Sequence, residues 1–206
     1  MNVLKKIRSG IIYNLSMRQL KSNGLVKSKG VYLTFDDGPE PNITEFVLDE
    51  LARHKAKATF FCVGKNIEKY PMLLKRILDE GHSVGSHTYS HIHAHRVNYN
   101  QYLDDVKLFD EQIDTPLFRP PWGALTLRTF FSLRKTKNIV LWHLSSNDFA
   151  LDKFDLSSDF KNLKQGTKDG SIILFHFCNR HEKETIQILP LYLDWLESQN
   201  FQLLPL

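Results

Sequence analysis

Two adjacent carboxylates, Asp36 and Asp37, end the apolar run Val31-Tyr32-Leu33-Thr34-Phe35 and are followed at once by Gly38-Pro39. Side chains along a strand point to alternate faces, so neighbouring carboxylates at its end suit two different jobs, one as metal ligand and one as separate base. The Gly-Pro pair stops the strand at that point. Alone, these residues also fit a turn whose carboxylates merely accept from nearby backbone N–H groups. His87 and His91 stand four residues apart, close enough in a helical turn or tight loop to share one ion. Arg119 enters a rigid Pro120-Pro121 turn, and His176 ends the apolar run Ile172-Ile173-Leu174-Phe175. Taken singly, Arg119 also reads as a surface ion-pair partner and His176 as a satisfied core histidine. His82, His93 and His95 raise the local histidine density without clear geometry and read as surface or loop residues.

What must position these groups is a series of short apolar runs alternating with helical patterns from residue 31 onward, the mark of βα units around a parallel sheet or barrel. The strand candidates are residues 31–35, 58–63, 82–86, 117–119, 139–144 and 171–177. One helix begins near Thr44 and turns Val47, Leu48 and Leu51 inward. Another starts with Pro71 and ends before Gly81. A third carries Tyr102, Val106, Phe109 and Ile113 on one face, and a fourth carries Ile186, Leu189, Leu193 and Leu196, with Pro190 either kinking it or lying in its first turn. The polar stretch from Asp148 to Gly170 reads as a loop with a short helix. In such a fold the carboxylate pair, the histidine pair, Arg119 and His176 all follow strand ends, where a parallel barrel gathers its catalytic groups.

The chain has 206 residues, of which 42% are hydrophobic, enough for one domain with a sizeable core. Cys62 and Cys178 lie inside apolar runs and read as buried free thiols rather than a disulfide. The net charge of +4 arises entirely at the start. Residues 1–30 hold seven of the 27 Lys and Arg and no acid, which leaves 20 basic against 23 acidic residues, a net of −3, for the remainder. That balance excludes a general nucleic-acid-binding role for the body of the protein. Within residues 1–29, a basic N-terminal segment, Leu4, Ile7, Ile11 and Leu15 fall at helical spacing beside Lys5, Lys6 and Arg8. This helix, over residues 1–20, either lies on an anionic membrane surface or packs against the domain of residues 30–206. With no secretory signal and no apolar run long enough to span a bilayer, the expected location is cytoplasmic, with peripheral contact at the inner face of the membrane.

The order of motifs resembles that of the NodB-like polysaccharide deacetylases, carbohydrate esterase family four, over about residues 30–203. Thr34-Phe35-Asp36-Asp37-Gly38-Pro39, His87-Thr88-Tyr89-Ser90-His91 and Arg119-Pro120-Pro121-Trp122-Gly123 match three family motifs, the last with Trp where Tyr is usual. The resemblance implies an α/β fold, a distorted (β/α) barrel of about seven parallel strands. It also implies removal of an N-acetyl group from an amino sugar in an oligosaccharide, polysaccharide or lipid-linked glycan, by a divalent metal held by Asp37, His87 and His91. Zinc is usual, and the same donors suit cobalt or nickel. By the same resemblance Asp36 is the general base, oriented by Arg119; His176 protonates the leaving amine; and the Trp122 N–H faces the oxyanion beside Pro121. Trp142 and Leu174 line the acetyl pocket.

The fourth family motif is altered. Ser145 replaces its first acid and Phe149 its second Trp, which leaves Asp148 as the residue that would tune His176. Phe177 stands where a polar residue usually follows the histidine. The altered motif keeps open a glycan-binding protein with weakened catalysis, and the family's xylan esterases keep open an O-acetyl esterase.

Overall fold

The computed structural model describes residues 3–27 and 29–206, with side chains described from residue 10 onward apart from residue 28. Seven parallel strands form one sheet in the order β5-β4-β3-β2-β1-β7-β6. They are β1 (Tyr32–Asp36), β2 (Thr59–Cys62), β3 (Ser83–Ser86), β4 (Leu117–Phe118), β5 (Asn138–Ile139), β6 (Leu144–Ser145) and β7 (Ile172–His176). Eight α-helices accompany them: α1 (Val3–Ser22), α2 (Ile43–Arg53), α3 (Gly64–Lys69), α4 (Pro71–Asp79), α5 (Tyr99–Asp110), α6 (Leu127–Leu133), α7 (Leu156–Gly166) and α8 (Glu182–Ser198).

The expected strand over residues 139–144 divides into β5 and β6, the two opposite edges of the sheet. One segment therefore serves both edges of a sheet curled into a half-barrel. Its first half donates to β4, through the Val140 N–H to the Phe118 carbonyl at 2.8 Å; its second half donates to β7, through the His143 N–H to the Ile172 carbonyl at 2.9 Å. Between the halves the Val140 carbonyl turns away from any strand and accepts instead from the Arg119 side chain at 3.1 Å. Ladder pairing is lost there because no neighbouring backbone remains to pair with.

Alternation along the strands sorts side chains into two layers. Leu33, Phe35, Phe60, Ile173 and Phe175 face outward and pack with Val47, Leu48 and Leu51 of α2 and with Ile188, Leu189, Tyr192, Leu193 and Leu196 of α8. Tyr32, Phe61, Leu117 and Ile172 face into the barrel, where they meet Met17 and Leu20 of α1. The buried face of α1 thus includes Ile12, Ser16, Met17 and Leu20, while Ile11 of the expected stripe is exposed; the side chains of Leu4 and Ile7 lie outside the described residues. Gln19 anchors the helix by donating to the carbonyls of Arg134 and Lys137, both at 3.1 Å. Among the described residues no helix is long and apolar enough to cross a membrane.

Smaller differences have local causes. Helix α5 ends before Ile113, α8 runs through Pro190 with Ile186 exposed, and the polar stretch after Asp148 holds the full helix α7. His82 is buried rather than on the surface, since its Nδ1 accepts from the Ala58 N–H at 3.2 Å and seals the start of β2. Burial, with Lys57 nearby, pushes its pKa down to about 4. Cys62 and Cys178 are both buried free thiols.

Because Leu20 is fully enclosed between α1 and the barrel interior, Leu20→Ala is expected to lower the unfolding free energy by about 2–4 kcal/mol in a denaturant titration. An unchanged midpoint would show that α1 is not part of the folded unit.

Candidate active site

The register of the sheet brings the strand ends level. Asp36 pairs across β1 with His176 of β7 and with Phe61 of β2, Cys62 pairs with Ser86, and Ser86 pairs with Phe118. His87 and Arg119 are therefore the first residues beyond β3 and β4. Asp36, Asp37, His87, Arg119 and His176 thus emerge at one end of the barrel.

Asp36 shares the inward parity of Tyr32 and Thr34, and its Oδ1 accepts from Nη1 of Arg119 at 2.8 Å. Arg119 is completely buried. Its Nη1 also reaches Thr34 Oγ1 at 2.8 Å, its Cζ lies 4.2 Å from the Phe61 ring centre, and Trp142 lies 5.7 Å away on another side. The ring faces offset part of the cost of removing the cation from water, a cost shown in its lowered pKa. Nη2 finds no hydrogen-bond acceptor among the described residues.

Asp37 leaves the strand with φ of +81°, which turns its carboxylate away from Arg119 and toward the histidines. Its Oδ1 is 3.3 Å from His87 Nε2 and 3.0 Å from His91 Nε2. Burial works against the Asp37 carboxylate, yet the two imidazoles hold its pKa well below the ordinary range. The His87 Nδ1 lies 2.7 Å from the Arg119 carbonyl, an atom that can only accept, so Nδ1 carries a proton and Nε2 is the nitrogen that faces Asp37.

Two donors each about 2.0–2.1 Å from a tetrahedral zinc ion lie about 3.3 Å apart, so the spacing of Asp37, His87 and His91 fits a divalent cation of that size. One carboxylate and two neutral imidazoles are also the right donor chemistry.

His176 and Asp148 form a second pair. Asp148 is fully buried and accepts twice from His176, from its backbone N–H at 2.7 Å and at Nδ1 at 2.8 Å. Thr185 of α8 donates to the same carboxylate at 3.0 Å. Burial opposes a charged His176 ring, but Asp148, with Asp37 and Asp36 beyond it, outweighs burial and raises its pKa to about 9. The reciprocal effect lowers Asp148 against its own burial. The altered fourth motif therefore still delivers a carboxylate to the histidine. Ser145 contributes by accepting from the Asn147 N–H at 3.1 Å, closing the turn that aims Asp148 inward. Phe149 lies edge-on to the His176 ring at 5.6 Å.

The remaining predicted residues frame this pair of sites. Pro121 begins a single 3-10 turn, Pro121–Gly123, in which Trp122 takes φ of +56°. The Trp122 ring is 57% exposed and rests 4.3 Å from His91 and 5.0 Å from His93. Its N–H donates to no protein acceptor among the described residues. Gly123 has φ of +62°, and a Cβ there would meet the Trp142 ring at 2.9 Å, so glycine alone lets that turn settle on Trp142. Leu174 is buried in register between Thr34 and Ser145. Phe177 is fully buried against Gly38 and the Phe60 ring, so it serves the core rather than a substrate surface.

Sequence reasoning missed the residues that hold these groups. Asp105 braces the histidine loop by accepting from the Ser90 N–H and hydroxyl. Asn66 donates to the Asp37 carbonyl at 2.8 Å. A usable signal existed for two of them: Asp105 stands within the stripe Tyr102, Val106, Phe109, and Thr185 precedes the stripe Ile188, Leu189, Tyr192 at helical spacing. A polar group on an apolar face has to satisfy something buried.

Residues 23–138 match the family model described as polysaccharide deacetylase. The chain belongs to the NodB-like polysaccharide deacetylases of carbohydrate esterase family four, enzymes that act on amide bonds of N-acetylated glycans, in a family that generally uses a divalent metal. It is 33% identical over 202 residues to a peptidoglycan-N-acetylglucosamine deacetylase of Bacillus cereus, covering 91% of this chain and 94% of that relative. It is 35% identical over 181 residues to the deacetylase PgdA of Listeria monocytogenes, covering 85% of this chain and only 37% of PgdA. Among solved structures, a peptidoglycan N-acetylglucosamine deacetylase in complex with 4-naphthalen-1-yl-N-oxidanyl-benzamide superposes with a TM-score of 0.81 at 30% identity, over 87% of this chain and 86% of that one.

The Asp148–His176 pair makes a signed pH prediction. The folded ring keeps its proton to about pH 9, against an ordinary value of 6.5, so the pair stabilises the fold fully below about pH 6.5 and that contribution is lost as pH rises through 9. In Asp148→Asn the His176 titration followed by NMR should move down by ~1–2 units. A titration unmoved by that substitution would show that Asp148 does not set the charge of the ring.

Proposed function

We propose that this protein hydrolyses the N-acetyl group of 2-acetamido sugars in peptidoglycan-type glycan strands, yielding acetate and a free amine on the sugar. The observation that carries the reading is the pairing of two opposite proton sites across one metal-type donor set: Asp36 held by a cation on one side, His176 held by a carboxylate on the other. The names of the relatives support the choice of glycan, N-acetylglucosamine in peptidoglycan. A divalent cation held by Asp37, His87 and His91, zinc by its donor set, supplies Lewis acidity toward water and the acyl oxygen when bound.

Asp36 has one oxygen fixed by Arg119, which leaves Oδ2, 3.8 Å from His87 Nε2, as the atom that takes the proton of the attacking water. The water oxygen bonds to the acyl carbon, and the N–H of Trp122 meets the negative charge that develops on the acyl oxygen. His176 has Nδ1 committed to Asp148, so Nε2 is the nitrogen that gives a proton to the sugar nitrogen as the carbon–nitrogen bond breaks. Trp122, exposed and tilted against His91, offers an apolar face to the sugar ring.

An amine leaves far less readily than an alkoxide of an ester unless it is protonated. A histidine that keeps its proton to about pH 9 therefore favours the amide over the O-acetyl reading.

The test is acetate and free-amine release from purified peptidoglycan and N-acetylglucosamine oligomers by the metal-loaded protein. Activity should fall ~10²–10⁴-fold in Asp36→Asn and in His176→Ala, and should disappear on chelation and return with zinc. No acetate from any of these glycans would contradict the proposal. Undiminished ester hydrolysis by His176→Ala beside a lost amidase activity would redirect it to O-acetyl substrates.

A further inference from the structure

Asp37 has a second set of neighbours besides His87 and His91. Cys178 and His181, on the loop after β7, each place a ligand atom within 4.8 Å of the other and of an Asp37 oxygen. Both are 6% exposed. The Nδ1 of His181 is enclosed and has no hydrogen-bond partner, an uncompensated polar atom of a kind native proteins rarely keep without a use. Nothing in the proposed deacetylation requires either residue.

Thiol, imidazole and carboxylate together are a donor set for a borderline-soft divalent cation. We propose that Asp37, Cys178 and His181 form a second, thiophilic metal subsite that shares Asp37 with the first. Filling it takes up M²⁺ and releases the Cys178 thiol proton to solvent, leaving a thiolate on the ion. The donors must draw together by no more than about 1.3 Å, since a thiolate and an imidazole on one zinc ion are about 3.5 Å apart. The short 3-10 turn Asn179–His181 carries that adjustment.

Its consequence for activity follows from position. The His181 ring lies edge-on to His176, with centres 5.0 Å apart. A second cation there stands close to the His176 ring and draws Asp37 away from the first ion. The subsite is therefore inhibitory, and excess zinc or cadmium slows an enzyme that one equivalent activates. The proposal relies on the reading of Asp37, His87 and His91 as the primary site only through the shared carboxylate.

Cadmium titration of the full chain separates the two. A first equivalent bound by Asp37, His87 and His91 gives no sulfur-to-metal charge-transfer absorption, whereas the second equivalent brings up that band with release of a proton. Cys178→Ser and His181→Gln should each still bind one ion, the check that they fold, while losing the band and the inhibition at excess metal; basal activity of Cys178→Ser is unchanged. One colourless ion in the wild-type protein even at excess cadmium, or a band that persists in Cys178→Ser, overturns the second subsite and leaves the primary one standing. Failure of the wild-type protein to bind even the first ion would instead count against both.

Discussion

A guanidinium buried at the heart of the barrel organises nearly everything else. Arg119 donates to the carboxylate of Asp36, to the hydroxyl of Thr34 and to the carbonyl of Val140, where the segment between β5 and β6 leaves both edges of the sheet. Its backbone works as well, the N–H pairing with the Ser86 carbonyl at the end of β3 and the carbonyl fixing the tautomer of His87. One residue thus closes the barrel seam, orients the proposed base and aims a proposed metal ligand. Such a cation is costly to bury, and only a fixed partner with several acceptors makes it tolerable. Lysine could not replace it, because a point-like ammonium cannot span the same acceptors.

The site is built from two ion pairs of opposite design. Asp36 is paired with a guanidinium, which does not give up its proton at working pH. His176 is paired with a carboxylate, which makes the imidazole hold its proton, as the proposed donor to the leaving nitrogen must. Between them stands the donor set of Asp37, His87 and His91. The backbone bends to achieve this: Asp37, Thr88, His91 and Trp122 all adopt positive φ without being glycine, at a cost of about 1 kcal/mol or more each. Concentration of such conformers in one place is how a rigid scaffold holds groups that local preference would scatter.

Much of this was legible in the chain because the functional residues directly follow strands, and strands announce themselves by apolar runs. Asp36-Asp37, His87, Arg119 and His176 needed only the expectation that parallel strand ends converge. The split of residues 139–144 was not legible, since an edge shared between two neighbours leaves the same apolar pattern as a single strand. Nor was the rotation of α1, where Ile11 and Ile12 are chemically alike and only packing decides which turns inward. The supporting shell was hidden for a different reason. Asp105 and Thr185 act across 15 and 37 residues of chain, on Ser90 and Asp148 respectively, and a sequence shows such partners only as polar interruptions of an apolar stripe.

Replacing the central cation is the most direct test of this account. Arg119→Lys should bind one metal ion yet lose about 3 kcal/mol of stability and ~10² or more in kcat/KM, because an ammonium keeps the charge but not the simultaneous contacts with Asp36, Thr34 and Val140. Near-native stability and turnover in Arg119→Lys would contradict it, for neither the seam nor the base would then depend on that side chain.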